Sequence, residues 1–259
     1  MLKPVRPSAP IHAKYEARLV ALVDEMHRSI VHWIAAEWRK NEPETVLLAS
    51  DDTPVAALQA ALNKLGRRWL SRFDDLSESL AEYFATAVRS RSDRALADML
   101  RKGGFSVKFR MTPAMRDAFA AVRAENVGLI RSIAAQHLGR VETLVMQSVS
   151  QGRDLSALTD ALVKQHGITR RRAALISRDQ NNKATAVLTR ARHAELGITH
   201  ARWMHSAGGK HPREAHVRFS GKTYPIATGH DFGDGLGPVW PGTAINCRCV
   251  AVPIVPGFD

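Results

Sequence analysis

The two cysteines of this chain, Cys247 and Cys249, stand two positions apart in the stretch P-G-T-A-I-N-C-R-C-V, residues 241–250. In an extended backbone residues i and i+2 face the same side with Cα atoms roughly 6.5 Å apart, so both sulfurs can converge on one point. A disulfide across so small a loop would be strained. The pair suits two of the four ligands of a tetrahedral zinc, which then needs two further Cys or His donors. His205, His211, His216 and His230 lie near in sequence, among 11 histidines. The competing reading keeps two reduced thiols packed in a small core, the ordinary fate of cysteine in a reducing compartment.

Other chemistries fit less well. There is no G-x-S-x-G elbow, no dinucleotide fingerprint and no P-loop. The stretch G-H-D-F-G-D-G-L-G-P, residues 229–238, holds Asp231 and Asp234 among four glycines but lacks the order of an EF-hand loop, so a glycine-rich turn is expected. A metal-dependent nuclease of the H-N-H type is the alternative functional reading. It needs a ββα unit with a general-base histidine, and the expected tail has no helix in the required place.

The elements that must position these residues divide into helices first and a loop-rich tail last. Residues 15–39 place Leu19, Leu22, Val23, Met26, Ile30, Trp33 and Ile34 at three- and four-residue steps, the stripe of an amphipathic helix. A second helix is expected with Thr53 as cap, Pro54 in its first turn and a stripe from Leu58 to Phe84. The segment K-G-G-F-S-V-K-F-R-M, with Phe105, Val107, Phe109 and Met111 alternating, reads as a short strand. Thr112 and Pro113 open another helix, and shorter helices are expected around 140–165. Residues 167–197 read as one basic helix, capped by Thr169 and stopped by Gly197, with seven Lys or Arg against Asp179 and Glu195. Six of the 12 prolines and nine of the 17 glycines follow residue 207, so the tail must be strands and ordered loops. Strands are expected in I-T-H-A-R-W-M-H-S, with Ala201, Trp203 and His205 on one face, in K-T-Y-P-I and in C-R-C-V-A-V-P-I. The fold class is therefore mainly α (α+β), with long N-terminal helices, a basic helix and a small β-rich C-terminal unit that a metal could stabilise.

The bulk numbers agree. A length of 259 residues with 45% hydrophobic content supports a real core in one large or two modest domains. No apolar run approaches the ~20 residues needed to cross a membrane, and M-L-K-P-V-R-P-S-A-P lacks the apolar stretch of a secretory signal, so use in a reducing cytosol is expected. A formal charge of +12 favours polyanionic partners, DNA above all, or an acidic protein surface.

Read in order, Trp203, H-S-A-G-G-K-H-P-R-E-A-H-V-R-F-S-G-K-T-Y-P and W-P-G-T-A-I-N-C-R-C resemble the phage Mu F-like minor head proteins, the phage head morphogenesis family. Arg213, His216, Gly221, Cys247 and Cys249 fill the tail pattern, and Arg178, Asp179, Gly197 and Ile198 match the helix before it. The resemblance covers roughly residues 140–255. It implies a division into an N-terminal helical region, 1–138, and a Mu F-like domain, 139–259, whose β-rich tail is 198–259. It also implies a minor capsid protein without catalysis, associated with the portal vertex inside the capsid, needed for a DNA-packaging-competent head and ejected with the DNA in some relatives. The partners it implies are the portal protein, the major capsid protein or scaffold, and packaged double-stranded DNA. Relatives with a toxin carry it after the C-R-C segment, and none is expected here because the sequence stops ten residues past Cys249.

Some relatives have C-P-x-C where this chain has Arg213 and His216, which would complete a four-cysteine site. The expected Zn²⁺ ligands here are therefore His216, Cys247, Cys249 and His205, with His211 as the alternate to His205. Arg248 is expected to face away from the metal, and Arg213 to bind a carboxylate or phosphate. Arg171, Arg172, Arg178, Lys183, Arg190 and Arg213 are the candidates for contact with portal or DNA.

Overall fold

The computed structural model describes residues 2–40, 54–151, 154–208, 211–235 and 237–255. Among them four long helices come first: α1 (Ala9–Lys40), α2 (Pro54–Lys102), α3 (Pro113–Ser150) and α4 (Leu155–Glu195). The tail follows with β1 (His200–Met204), the one-turn helix α5 (Glu214–Arg218), β2 (Thr223–Pro225) and β3 (Val250–Pro253). The protein is mainly α with one small antiparallel sheet, ordered β2-β1-β3, as its sequence predicts. No helix among the described residues is long and apolar enough to cross a membrane.

Local hydrogen bonds explain the helix ends. Thr112 caps α3, its Oγ1 accepting from the Met115 N–H at 3.2 Å. Gly197 stops α4 in a left-handed conformation, φ +70°, while the Ile198 N–H reaches back to the His193 carbonyl at 2.9 Å. The expected cap Thr53 lies outside the described residues. Other expectations need correction. The short helices around 140–165 are replaced by the unbroken run of α3 to Ser150 and the early start of α4. Asp154 is the true cap of α4, its Oδ1 accepting from the Ser156 and Ala157 N–H groups at 2.8 and 3.0 Å. Thr169 sits about four turns inside, bonded to the Gln165 carbonyl, and the helix passes through Gly167 because one glycine costs only about 1 kcal/mol against buried Leu158 and Leu162. Residues 105–111 form no strand. Val107 and Phe109 pack on Val5, Leu96 and Leu100, and no neighbouring strand completes a ladder there.

Two compact units result. One comprises Glu16–Leu80 and Val127–Ile176; the other gathers Met1–Tyr15, Ala81–Asn126 and Ser177–Asp259. In the first, the stripe of α1 is buried as Leu19, Leu22, Val23, Met26, Ile30 and Ile34, whereas Trp33 is 44% exposed. Trp69 and Phe73 of α2 and Ile130 and Ile133 of α3 complete this apolar interior, each side chain contributing roughly 1.5–3 kcal/mol.

That interior also holds three histidines. His27 and His166 stack in parallel with ring centroids 4.0 Å apart, and His137 meets His27 edge-on at 6.5 Å. His166 Nε2 lies 2.7 Å from Asp24 Oδ1, and Arg170 lies 3.5 Å from the same oxygen. The Thr169 hydroxyl gives its proton to the Gln165 carbonyl, so His137 Nδ1–H must be the donor in its 2.8 Å contact with Thr169 Oγ1. His137 Nε2 and His27 Nδ1 are then buried nitrogens without a partner among the described residues. Burial first, and then the neighbouring imidazoles, hold both groups down to about 4 from the ordinary 6.5; for His27 the nearby Asp24 opposes this and Arg28 adds to it.

The unfolded chain therefore binds more protons than the folded one between pH 6.5 and about 4, and stability contributed above that window is lost as pH falls through it. Thermal unfolding followed from pH 7.5 to 4 should show a falling midpoint. The slope should flatten in His137→Asn, which keeps a donor toward Thr169 but does not titrate; an unchanged slope would remove the cluster as its cause.

Candidate metal centre

In the second unit the sheet is organised by Trp203. Its register places Ala201 opposite Tyr224 and Trp203 opposite Ala251, with Ala201 and Trp203 fully buried. His216, Phe219, Tyr224 and Phe232 surround the indole, each ring inclined between 71° and 85° to it. So small a sheet has little other core.

Against this aromatic cluster the chain brings together His216, Cys247 and Cys249, all buried. His216 Nδ1 lies 3.6 Å from Cys247 Sγ and 3.8 Å from Cys249 Sγ, and the three atoms all fall within 4.8 Å of one another. The three residues can hold a metal ion. The cysteines lie in the lead-in to β3, which begins only at Val250, so the expected strand starts three residues late. His216 rides on α5, a helix the proline and glycine density had seemed to forbid. Five residues of helix fit between Pro212 and Gly221. The imidazole is held by its stack on Phe232, 4.7 Å between centroids, and by Trp203 edge-on at 4.9 Å.

The electrostatics favour anionic sulfur. Cys247 is pulled below the ordinary thiol range, chiefly by its hydrogen bond with Cys249, against burial, with help from the Cys249 and Gly242 N–H groups and His216. Cys249 is pushed up by the same neighbour and by burial. The Trp203 indole N–H has no hydrogen-bond partner of good geometry among the described residues, and it favours negative charge on Cys249.

Residues of α4 aim the thiols. Asp179 Oδ1 accepts the Asn246 N–H at 2.6 Å, Arg178 donates to Asn246 Oδ1 at 3.2 Å, and Asn182 Nδ2 donates to the Cys247 carbonyl at 3.2 Å. Asn246 adopts φ +60°, a conformation its short amide side chain tolerates. Gly242, at φ +85°, donates its N–H to Cys247 Sγ at 3.4 Å. A Cβ there would come within 3.1 Å of the Cys249 carbonyl and 3.2 Å of Ala186 Cβ, so only glycine lets the loop lie this close to α4. Arg213 donates to the Ile245 carbonyl at 3.0 Å, which seats the start of α5 beside the loop and points His216, one turn on, at the sulfurs.

Residues 139–252, which carry this whole arrangement, match the family model described as Phage Mu protein F like protein. This part of the chain is Mu F-like. The chain is also 30% identical over 269 residues to an uncharacterised protein of Haemophilus influenzae, a match that covers 98% of this chain and 55% of the relative. It therefore spans about half the length of that relative. No solved structure matches it.

The other residues singled out from sequence fall in two groups. His205 and His211 line the cleft that opens onto His216, Cys247 and Cys249, without joining the cluster. Arg248 is exposed, as alternation requires, and its guanidinium bonds the Gly208 carbonyl. Arg213, expected to bind a carboxylate or phosphate, donates one N–H to the Ile245 carbonyl. Of the basic residues on α4, Arg172 donates to Ser132 at 3.0 Å, Lys183 pairs with Glu125 at 2.7 Å and Arg190 stacks over Trp240 at 4.0 Å. With Arg178 bound to Asn246, these four cations have partners within their own units, and Arg171 is the exposed one of the five candidates on α4. Sequence reasoning missed Asn182, Asn246 and Gly242 as positioning residues. The polar face Arg178, Asp179, Asn182, at i, i+1 and i+4, was the available signal.

Removing the Asp179 carboxylate leaves the Asn246 N–H without its acceptor, a loss of about 1–3 kcal/mol. Asp179→Ala should lower the urea midpoint and speed labelling of the cysteines by a thiol reagent, whereas Arg248→Ala should do neither. Equal labelling of the two variants would show that the loop does not depend on this clamp.

Proposed function

We propose that this chain is a minor head protein of a tailed bacteriophage, with a structural and not a catalytic role. In this reading it binds the portal protein inside the capsid, with the major capsid protein or scaffold and packaged double-stranded DNA as further contacts, and the head needs it to become competent for packaging. Ejection with the DNA belongs to the same reading. The observation that carries it is the Mu F-like match over the segment that builds the cysteine–histidine cluster. The net charge of +12 supports a position near DNA. Deleting the gene from its phage should leave heads without packaged DNA, and the wild-type protein should stay in purified heads washed with a few hundred millimolar salt, since a dock with an apolar centre resists salt that disperses purely electrostatic contacts. Normal yields of DNA-filled heads from the deletion would overturn the proposal.

Zinc is the metal that fits the cluster. With Zn–S of about 2.3 Å and Zn–N of about 2.0–2.1 Å, tetrahedral geometry separates neighbouring ligand atoms by about 3.6 Å. The observed separations from His216 Nδ1 are 3.6 and 3.8 Å. Two thiolates and an imidazole are the donor set that favours zinc over hard cations, and the orphaned Trp203 N–H suits a sulfur kept permanently anionic. Bound there, the ion would cross-link α5 to the lead-in of β3 and supply folding free energy to a sheet short of core. Elemental analysis should find about one zinc per chain, lost in Cys247→Ser with a lower unfolding midpoint of the tail. Metal-free protein whose tail is indifferent to chelator would leave the thiols as packing residues.

A further inference from the structure

The cysteine–histidine cluster is walled on one side and open on the other. Trp203 and Phe232 close its core side through their contacts with His216. On the opposite side lies a cleft of about 300 Å³, lined beyond the three ligands by His205, His211, Arg213 and Arg248 among others, and by no acidic side chain among the described residues. We propose that the fourth position on the metal stays open to this cleft and takes a carboxylate from an acidic side chain of a partner protein, clamped by Arg213 and Arg248. The inference rests on the metal reading of the preceding subsection and adds to it the chemistry of the partner.

Three observations carry it. First, no fourth protein donor joins the cluster among the described residues. His205, the nearest in sequence to a strand end, is engaged in its own turn: its Nδ1 accepts the Ala207 N–H at 3.1 Å, and its backbone N–H goes to Ser220 Oγ at 3.0 Å. Ala207 holds φ +53° in that turn, an uncommon conformation for alanine, so the turn is specifically built. Second, the cleft is cationic by construction. Arg213 is tethered through one nitrogen to the Ile245 carbonyl and Arg248 through one nitrogen to the Gly208 carbonyl. A guanidinium has five N–H donors, so each tethered arginine retains donors in a fixed orientation, the arrangement that grips a carboxylate. Third, charge and shape select the ligand. Two thiolates neutralise a divalent ion, and the two arginines leave the pocket positive, so an anion is drawn to the remaining position. Carboxylate oxygen is an ordinary zinc ligand. The sulfurs are buried, Cys247 3% and Cys249 5% exposed, so the ligand must project inward. An aspartate or glutamate side chain projects from its backbone, whereas a phosphodiester of duplex DNA is embedded in its own.

The test uses the full chain loaded with Co²⁺, whose visible d–d bands report the number and type of ligands. Acetate stands in for the partner carboxylate, with chloride, inorganic phosphate and a short DNA duplex as the other arms. The expected result is a saturable change in the cobalt bands with acetate, retained in His205→Ala and His211→Ala. The apparent affinity for acetate should fall about tenfold in Arg248→Gln, the loss expected for one charge-assisted hydrogen bond; Arg213→Gln should behave alike if its spectrum shows the metal site intact. Bands indifferent to acetate but altered by either histidine substitution would mean that the chain closes its own site, and would overturn the inference while leaving the metal reading in place. A response to chloride equal to that for acetate, or to phosphate or DNA and not acetate, would overturn it too. Failure to take up cobalt at all would instead remove the metal reading.

Discussion

One carboxylate on a long helix decides where both thiols of this protein point. Asp179 accepts the Asn246 N–H at 2.6 Å, and through that bond the turn before Cys247 is laid along α4. Burial raises the affinity of Asp179 for its proton above the ordinary carboxylate range, and the Asn246 N–H and Lys183 pull the other way without cancelling it. Arg178 and Asn182 reinforce the contact from either side of the same helical face. Without this platform the Asn246 N–H and the Cys247 carbonyl would lose their partners, and the turn that aims the sulfurs would lose its hold on α4.

The β-rich tail is built as an attachment to that platform. Its strands are three to five residues long, and its small core centres on Trp203, wrapped by four rings. Such a unit cannot offset the entropy of ordering its loops by burial alone. The hydrogen bonds to α4 make up part of the difference, and an imidazole and two thiols converge where an ion could add to it. Both act on the same short stretch, which is why W-P-G-T-A-I-N-C-R-C packs so many specific demands into ten residues. Trp240 donates to the Ile226 carbonyl, Gly242 permits the close approach, Asn246 takes the left-handed turn and the cysteines face inward.

The long helices carry polar groups inside, and several of them are answered by partners from other helices. Arg192 is 2% exposed and is held by Asp93, Glu195 and the Arg110 carbonyl, with Phe109 beneath its guanidinium. This network gives the strandless segment before α3 a fixed place. Tyr15, Asn126 and Gln180 form a chain of buried hydrogen bonds across three helices. Satisfied networks of this kind specify one packing among many that apolar stripes alone would allow. The surplus of positive charge is consequently less available than its number suggests, because much of it on α4 is bound within the fold.

Much of this was legible in the sequence wherever the information is local. The stripe of α1, the Thr112–Pro113 opening of α3, the Gly197 stop and the helix-to-tail change at proline and glycine density depend on residues within a few positions of one another, and the structure places them as read. The cysteine spacing was legible for the same reason, whereas His216 was singled out from four histidines by the resemblance of the tail to the Mu F-like pattern. What the sequence could not convey was which distant groups would meet. Residues 105–111 alternate like a strand but have no partner to pair with. Thr169 resembles a cap but is overridden by Asp154 and by burial along the whole of α4. Arg178, Lys183 and Arg190 read as a solvated basic face until Asn246, Glu125 and Trp240 arrive from elsewhere in the chain to take them. Periodicity and capping are properties of neighbours in sequence and were determined there; strand pairing, ligand convergence and the fate of a charge are properties of neighbours in space, and only the tertiary structure decided them.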